Sequence, residues 1–470
     1  MLIPIVWPGA AHFLGAPAPP AGGGGSAPPF GGWGNGPDPS VYVNATVSMG
    51  SYFGYHPANP FFAVVFTAAG HPTSELVTLG AYLNTTPITW FRFGGEGEGY
   101  DPTTQLSYLP PSSPGVYRIG HGESMNFTWA KSWCYARTPH CSWLGYLPGE
   151  ENDTLQALHT AEWFHDVLDF APPLWQFDNE PDHWLHYGLN RTVWSTYDDA
   201  TPTASDVATM VRDYIAAVAP EYPADRYVGI EAGCACYGDE IAATVALNGP
   251  HLAAMAYHNY PGIDGSATSV DRFYGGLLSV RNTTTQTGFF RDTVTSACPS
   301  CDIALQVGEY QTGAPVDHSP FALEYPGAPW MAASVIEALQ SNLSMFTVFD
   351  TTWLVNATTG SVLPEGLLYQ RILANLTMGS DYNAPIYAPG VGGVFSVLIQ
   401  NGSHRSLLVV NTNTTYGLNL SVPTSVLQVG STGSEWIWSP SSTVPSWYRD
   451  IQLPTSYHIP EQSILLINNY

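Results

Sequence analysis

The sequence predicts an α/β fold, a (β/α)8 TIM barrel over residues 41–378 followed by an antiparallel β-sandwich over residues 379–470. Short apolar runs alternate with longer helix-patterned stretches from about residue 44, as βα units around a parallel sheet require. Eight such runs within roughly 330 residues match the length of a (β/α)8 barrel. After about residue 380 the pattern shortens to alternating strands separated by turn residues, which reads as a sandwich.

Taken in order, the candidate barrel strands end near Tyr52, Gly94, Tyr146, Asp178, Glu231, Tyr257, Glu309 and Asp350. Helical patterns fall between them at 154–170, 204–219, 241–247, 329–341 and 365–376. The sandwich strands are expected at 394–400, 406–411, 418–422, 435–438 and 463–467, joined by a strand from the segment ahead of the barrel. Residues 1–40 form no part of either unit. The apolar start lacks a positive flank and is broken by Pro4 and Pro8, so it reads as a signal-peptide remnant. The Gly/Pro-rich stretch after it reads as a flexible linker.

Composition excludes several classes. Charged residues make up 11% of the chain, against about 25% in an ordinary soluble protein. There are 13 Lys+Arg and 38 Asp+Glu, a net charge of −25, and Lys131 is the single lysine. Nucleic acid is excluded as a partner because phosphate neutralisation needs a basic stripe. No apolar run after the N-terminal stretch is long enough to span a membrane. Sparse charge with almost no lysine suits an acidic exterior, where neutralised carboxylates would leave a lysine-rich surface self-repelling.

Twelve Asn-x-Ser/Thr sites, at Asn44, Asn84, Asn126, Asn152, Asn190, Asn282, Asn342, Asn356, Asn375, Asn401, Asn413 and Asn419, exceed the chance expectation of about four and point to an exported glycoprotein. Export makes disulfides the default state of the cysteines. Cys134 and Cys141 are spaced for a local loop. A C-x-C pair closes on itself only with strain, so a cross-bridge from Cys234 or Cys236 to Cys298 or Cys301 is expected. A four-cysteine zinc site is the alternative, which export disfavours.

The chemistry is concentrated at the ends of the candidate strands, where a barrel of this kind carries its site. Residues 173–184, PLWQFDNEPDHW, form an apolar strand that breaks at Asp178 and delivers Asn179 and Glu180 to the rim. Residues 303–310, IALQVGEY, form another that ends on Glu309. Two carboxyl groups on strands four and seven can protonate a glycosidic oxygen and attack an anomeric carbon. Each has a structural alternative. Glu180 could simply open the next helix, where its charge suits the dipole, and Glu231 on strand five is a rival to Glu309. No H-E-x-x-H or comparable ligand motif is present, and no metal or cofactor is implied.

Asn179-Glu180-Pro181 after strand four, with a glutamate after strand seven, resembles the clan A retaining glycoside hydrolases. The resemblance implies a (β/α)8 fold, Glu180 as acid/base and Glu309 as nucleophile. Arg92-Phe93-Gly94-Gly95 resembles the clan's Arg-x-Gly-Gly segment on strand two, where the arginine holds the nucleophile ionised. His258-Asn259-Tyr260-Pro261 resembles the His-x-Tyr-Pro segment of the heparanase-like and glucuronidase-like family 79, while Asp178 to Trp184 is closer to the endoglucanase family 44. Trp353 follows strand eight, where clan members place a sugar-stacking tryptophan. Glu96 and Glu98 depart from both families.

The resemblance implies catalysis by Glu180 and Glu309, with Arg92, Asn179, His258, Tyr260, Trp184, Trp353 and Glu96 binding substrate. The expected protein is a secreted endo-β-glucanase acting on a polysaccharide or oligosaccharide. The alternatives are a β-glucuronidase, for which Arg137, Lys131 and Arg191 are the available cations, and a non-catalytic carbohydrate-binding surface protein.

Overall fold

The computed structural model describes residues 41–56, 61–66, 73–93, 116–119, 123–137, 142–147, 154–180, 203–261, 269–279, 282–312, 320–428 and 430–469. Eight parallel strands close a barrel. In chain order they are β3 (Phe62–Phe66), β4 (Trp90–Phe93), β7 (Ser142–Leu147), β8 (Leu174–Asn179), β9 (Tyr227–Ala232), β10 (Leu252–Asn259), β11 (Ala304–Tyr310) and β12 (Met345–Val348), and β12 pairs back onto β3.

The first strand is therefore not the one ending near Tyr52. Tyr52 opens β2 (Tyr52–Tyr55), a half-exposed strand of a different sheet. Burial decides between the two segments. A barrel strand is covered on both faces and needs a continuous apolar run, which Phe62–Phe66 supplies, whereas β2 has two exposed positions in four.

Helices packed outside the barrel include α1 (Thr73–Leu83), α2 (Phe127–Ala136), α3 (Thr154–Glu162), α4 (Ala204–Val218), α5 (Gly238–Asn248), α6 (Val270–Gly275), α7 (Thr283–Ala297), α8 (Gly327–Gln340) and α9 (Pro364–Leu367). α7 is rich in threonine, a poor helix former, yet it is helical. Asn282 caps it by accepting from Thr285 N, and Thr287, Phe290 and Val294 bury one face, so packing overrides propensity.

The lumen is filled at its lower level by apolar side chains, mostly small or medium with the one large ring of Trp90, namely Ala63, Trp90, Leu144, Leu174, Val228, Ala254, Ala256 and Met345. The opposite faces of the same strands, with Phe91, Trp175, Ile230, Tyr257 and Val307, pack against the helices. Above the lower layer the inward positions turn polar, and this is where the charged groups gather.

Between β4 and β7, β5 (Val116–Ile119) pairs with β6 (Glu123–Asn126) in a separate two-stranded sheet, and two further sheets form the sandwich. One holds β14 (Ile386–Tyr387), β1 (Tyr42–Val47), β17 (Gly417–Ser421) and β20 (Ser456–Ile459). The other holds β19 (Ser446–Gln452), β18 (Thr432–Trp438), β21 (Ser463–Asn469), β16 (His404–Asn411), β15 (Val394–Asn401), β13 (Ser380–Asn383) and β2. The segment ahead of the barrel thus contributes both β1 and β2. β1 runs parallel to β17, so the sandwich is antiparallel except at that pair. Tyr325, ahead of α8, bonds the carbonyls of Trp438 and Gln462, tying barrel to sandwich, and within the sandwich buried His56, just past β2, pairs with Asp381 on β13.

The cysteine pairing differs from expectation. Cys234 bonds Cys236 and Cys298 bonds Cys301. The first pair follows the C-terminal end of β9, while the second lies between α7 and the start of β11, beside Gly249 at the other end of the barrel. A cross-bridge would have to span the barrel's length. Cys134 is also disulfide-bonded, and Cys141 lies outside the described residues.

Candidate active site

Arg92 follows Trp90 on the inward face of β4 and is almost fully buried at the centre of the polar layer. Its Nη1 reaches Glu309 Oε1 and its Nη2 reaches Glu231 Oε2, each at 2.6 Å. One guanidinium therefore bridges carboxylates from two strands, and its planar fork suits this better than an ammonium would. His258, inward on β10 after Ala254 and Ala256, stands between three carboxylates. Its Nδ1 lies 2.5 Å from Glu180 Oε1 and 3.3 Å from Glu309 Oε2, and its Nε2 lies 3.7 Å from Glu231 Oε1. Tyr260, just past β10, donates its hydroxyl to Glu309 Oε2 at 2.5 Å.

Glu309 faces inward because β11 carries an extra residue. Tyr257 pairs with Val307 and the next residue, His258, with Glu309, while Val307 and Tyr310 pair with Phe346 and Val348 on the other side. Gly308 is the added residue in this bulge, and it resets the alternation so that Glu309 points into the lumen. It must be glycine, since a Cβ there would run into the Glu231 carboxylate. β9 changes phase similarly. Val228 faces the lumen and Ile230 the helices, which turns Glu231 inward, and β8 and β9 shift register between Trp175–Tyr227 and Phe177–Ile230. Glu180 sits at the end of β8 with φ of 51°, left-handed backbone that costs a non-glycine residue about 1 kcal/mol. Its N–H is held by the Glu231 carbonyl at 2.9 Å.

The electrostatics follow from burial and sign. Burial alone disfavours the His258 cation, but Glu309 and Glu180 outweigh it and raise its pKa to about 10. Burial also opposes the Glu231 anion, but Arg92 and His258 prevail and hold that carboxyl below the ordinary value. Glu309 is raised: burial pushes it up, His258 and Arg92 pull it back, and Glu180 and Glu231 add to the rise. Tyr260, raised by burial and then by Glu309, stays a hydroxyl donor.

Two cations thus face three carboxylates, and one added proton makes the cluster neutral. Both oxygens of Glu309 accept from Arg92 or Tyr260, contacts that favour its carboxylate form.

An atom each from Glu180, His258 and Glu309 lies within 4.8 Å of the others, close enough in spacing to surround a cation. The chemistry does not fit one. Both Glu309 oxygens are taken by Arg92 and Tyr260, and His258 Nδ1 is turned to Glu180, so these donors are committed to one another.

Of the other expected site residues, Asn179 ends β8 beside Glu180, and its side chain is outside the described residues, as are Trp184, Glu96 and Arg191. Trp353 is 3% exposed and packs in the main apolar core, a core position with little face to offer a sugar. Lys131 and Arg137 are not at the mouth. Lys131 bonds the Leu168 carbonyl and Asp169 ahead of β8, and Arg137 bonds the carbonyls of Leu83 and Ile88 ahead of β4. Both therefore lie by the N-terminal ends of the strands. Glu231, the rival that the sequence offers to Glu309, stands beside it as the second carboxylate partner of Arg92.

No protein-family model and no curated protein matches the sequence. Solved structures match nearly all of it. A family 51 α-L-arabinofuranosidase from Bifidobacterium longum is 14% identical with a TM-score of 0.68, over 92% of this chain and 100% of its own. An α-L-arabinofuranosidase from Thermotoga maritima is 11% identical with a TM-score of 0.61, over 91% and 99%. A family 44 endoglucanase from Clostridium thermocellum is 11% identical with a TM-score of 0.57, over 92% and 100%. The chain has the fold of the clan A glycoside hydrolases. At these identities the likeness is one of architecture, and the chemistry must be argued from the cluster itself.

Proposed function

We propose that the protein is a secreted retaining glycoside hydrolase acting on neutral polysaccharide, by preference an endo-β-glucanase. The observation that carries this is the convergence of Glu180 and Glu309 from strands four and seven, with oxygens within 4.8 Å of each other. Retaining enzymes hold their carboxyl groups about 5–5.5 Å apart, and inverting ones leave room for water at about 6.5 Å or more. Glu309 attacks the anomeric carbon while Glu180 gives its proton to the departing oxygen. Glu180, now ionised, then takes a proton from the water that frees the sugar. Arg92 and Tyr260 hold the two oxygens of Glu309 in place, so the nucleophile needs no reorganisation.

Of the cations that a uronic acid substrate would call on, Lys131 and Arg137 lie by the far end of the strands, so among the described residues neither supports that alternative. A non-catalytic binder has no need of a buried acid pair with one member held by Arg92 and Tyr260. Secretion and glycosylation are supported by the sequons, of which Asn44, Asn84, Asn342, Asn356, Asn375 and Asn401 are exposed.

The test is a panel of polysaccharides and aryl glycosides between about pH 2 and pH 6, with Glu180→Gln as the blank. Aryl arabinofuranosides belong in the panel because the 0.68 TM-score is to an arabinofuranosidase. A 2-fluoro glycoside should leave its label on Glu309. Label on Glu231, or turnover by Glu180→Gln equal to wild type, overturns the assignment.

A further inference from the structure

We propose that Glu231 is a positioning residue, a buried carboxylate that holds Arg92 and His258 in place and so sets the pH range over which the Glu180–Glu309 pair works. The inference rests on the glycosidase reading and assigns Glu231 no contact with substrate.

Its placement supports this. Glu231 is 1% exposed and lies behind the pair. It pairs with Arg92 Nη2 at 2.6 Å, faces His258 Nε2 at 3.7 Å, and accepts the Glu180 N–H on its own carbonyl at 2.9 Å. Every member of the pair is thus touched through an intermediary, Glu309 by way of Arg92 and Glu180 by way of His258 and the backbone. The fold makes room for it twice, through the phase change in β9 and the missing side chain at Gly308.

The sign of its effect follows from counting charges. The titratable or charged groups facing Glu231 among the described residues are Arg92 from β4, Glu180 from β8, His258 from β10 and Glu309 from β11, with Tyr260 bonded to Glu309. With Glu231 ionised, the cluster is one proton short of neutrality. Without its charge, Arg92 and His258 balance Glu180 and Glu309 with no proton needed. Removing a negative charge lowers the pKa of every neighbour, so both limbs of the pH–rate profile move to lower pH. A residue that merely filled space would lower the rate without moving the profile.

The experiment compares wild type, Glu231→Gln and Glu231→Asp. Each is checked for folding by thermal melt, profiled on the substrate that the panel identifies, and followed by 15N NMR of the His258 ring. In Glu231→Gln the profile should shift by about one pH unit toward acid and His258 should lose its proton at lower pH. Glu231→Asp keeps the charge, so its profile should stay near wild type even where its rate falls. A folded Glu231→Gln with an unmoved profile and an unmoved His258 titration overturns the proposal. So does a wild type whose His258 is neutral at pH 6, a result that needs no variant to fold. If wild type cleaves no glycan, the glycosidase reading fails alone, because the His258 titration requires no substrate.

Discussion

The barrel mouth and the helical layer around it both bury glutamates, with opposite results. Glu337 on α8 and Glu365 on α9 are almost wholly buried, and their partners are neutral, the Thr283 N–H for one and the Gln311 carboxamide for the other. Burial pushes each up to about 8. At the mouth, Glu231 is as deeply buried yet falls below the ordinary carboxylate value, because a guanidinium and an imidazolium face it. Burial by itself neutralises a carboxyl, and only oriented cations keep one ionised in a dry site. Assembling such a cluster is expensive in desolvation, which makes its presence an argument for function.

The sharpest way to break the comparison is to neutralise one glutamate in each region. Glu180→Gln should lower kcat on an unactivated glycan by about 10²–10⁴-fold. Its melting temperature should hold or rise, because a crowded carboxyl has been removed. Glu337→Gln should leave kcat within about twofold, since its carboxyl is already neutral at acidic pH. Comparable losses in both would mean that the mouth cluster is only structural.

Next in size is Arg92→Ala. Arg92 lowers both Glu231 and Glu309, so its removal leaves two buried carboxylates facing each other without it. Breaking a buried pair in this way costs on the order of 3–5 kcal/mol. The acid limb of the rate profile, which follows protonation of Glu309, should move to higher pH, opposite to the shift from losing Glu231. A stable Arg92→Ala with an unmoved acid limb would separate Arg92 from the nucleophile.

Most of this site was legible in the sequence because a barrel strand announces its end. Apolar runs that stop on Glu180 and Glu309, an arginine after an apolar pair at Arg92, and His258 with Tyr260 closing the longest run all fall at strand C-termini. What strict alternation hides is the phase. Counted from Leu305 and Val307, which face the helices, Glu309 should face them too, and only the extra residue at Gly308 turns it inward. Glu231 was weighed against Glu309 because both end strands on a carboxylate. Their roles differ by what stands across the barrel, which chain order does not encode. The cysteines misled for a similar reason, since spacing carries no information about which end of the barrel each pair occupies.

The smallest effect should come from the neutral region, in stability. Glu337 and Glu365 each titrate near 4.5 when unfolded and near 8 when folded. A raised folded value means that the stabilisation is intact below about pH 4.5, where the acid is neutral in both states. Above that pH the unfolded chain ionises first and draws the equilibrium toward itself, and the loss is complete once pH has risen through about 8. The melting temperature of wild type should therefore fall by roughly 5 °C or more across that window. In Glu337→Gln and Glu365→Gln the decline should flatten, because a carboxamide cannot ionise. The direction agrees with a protein adapted to acid: the buried acids that lack cations are comfortable only where protons are plentiful. A melting temperature that rises from pH 4.5 to 8, or a decline equally steep in the double variant, would mean that these two carboxyls reach charged partners or water, and the contrast between the two regions would collapse.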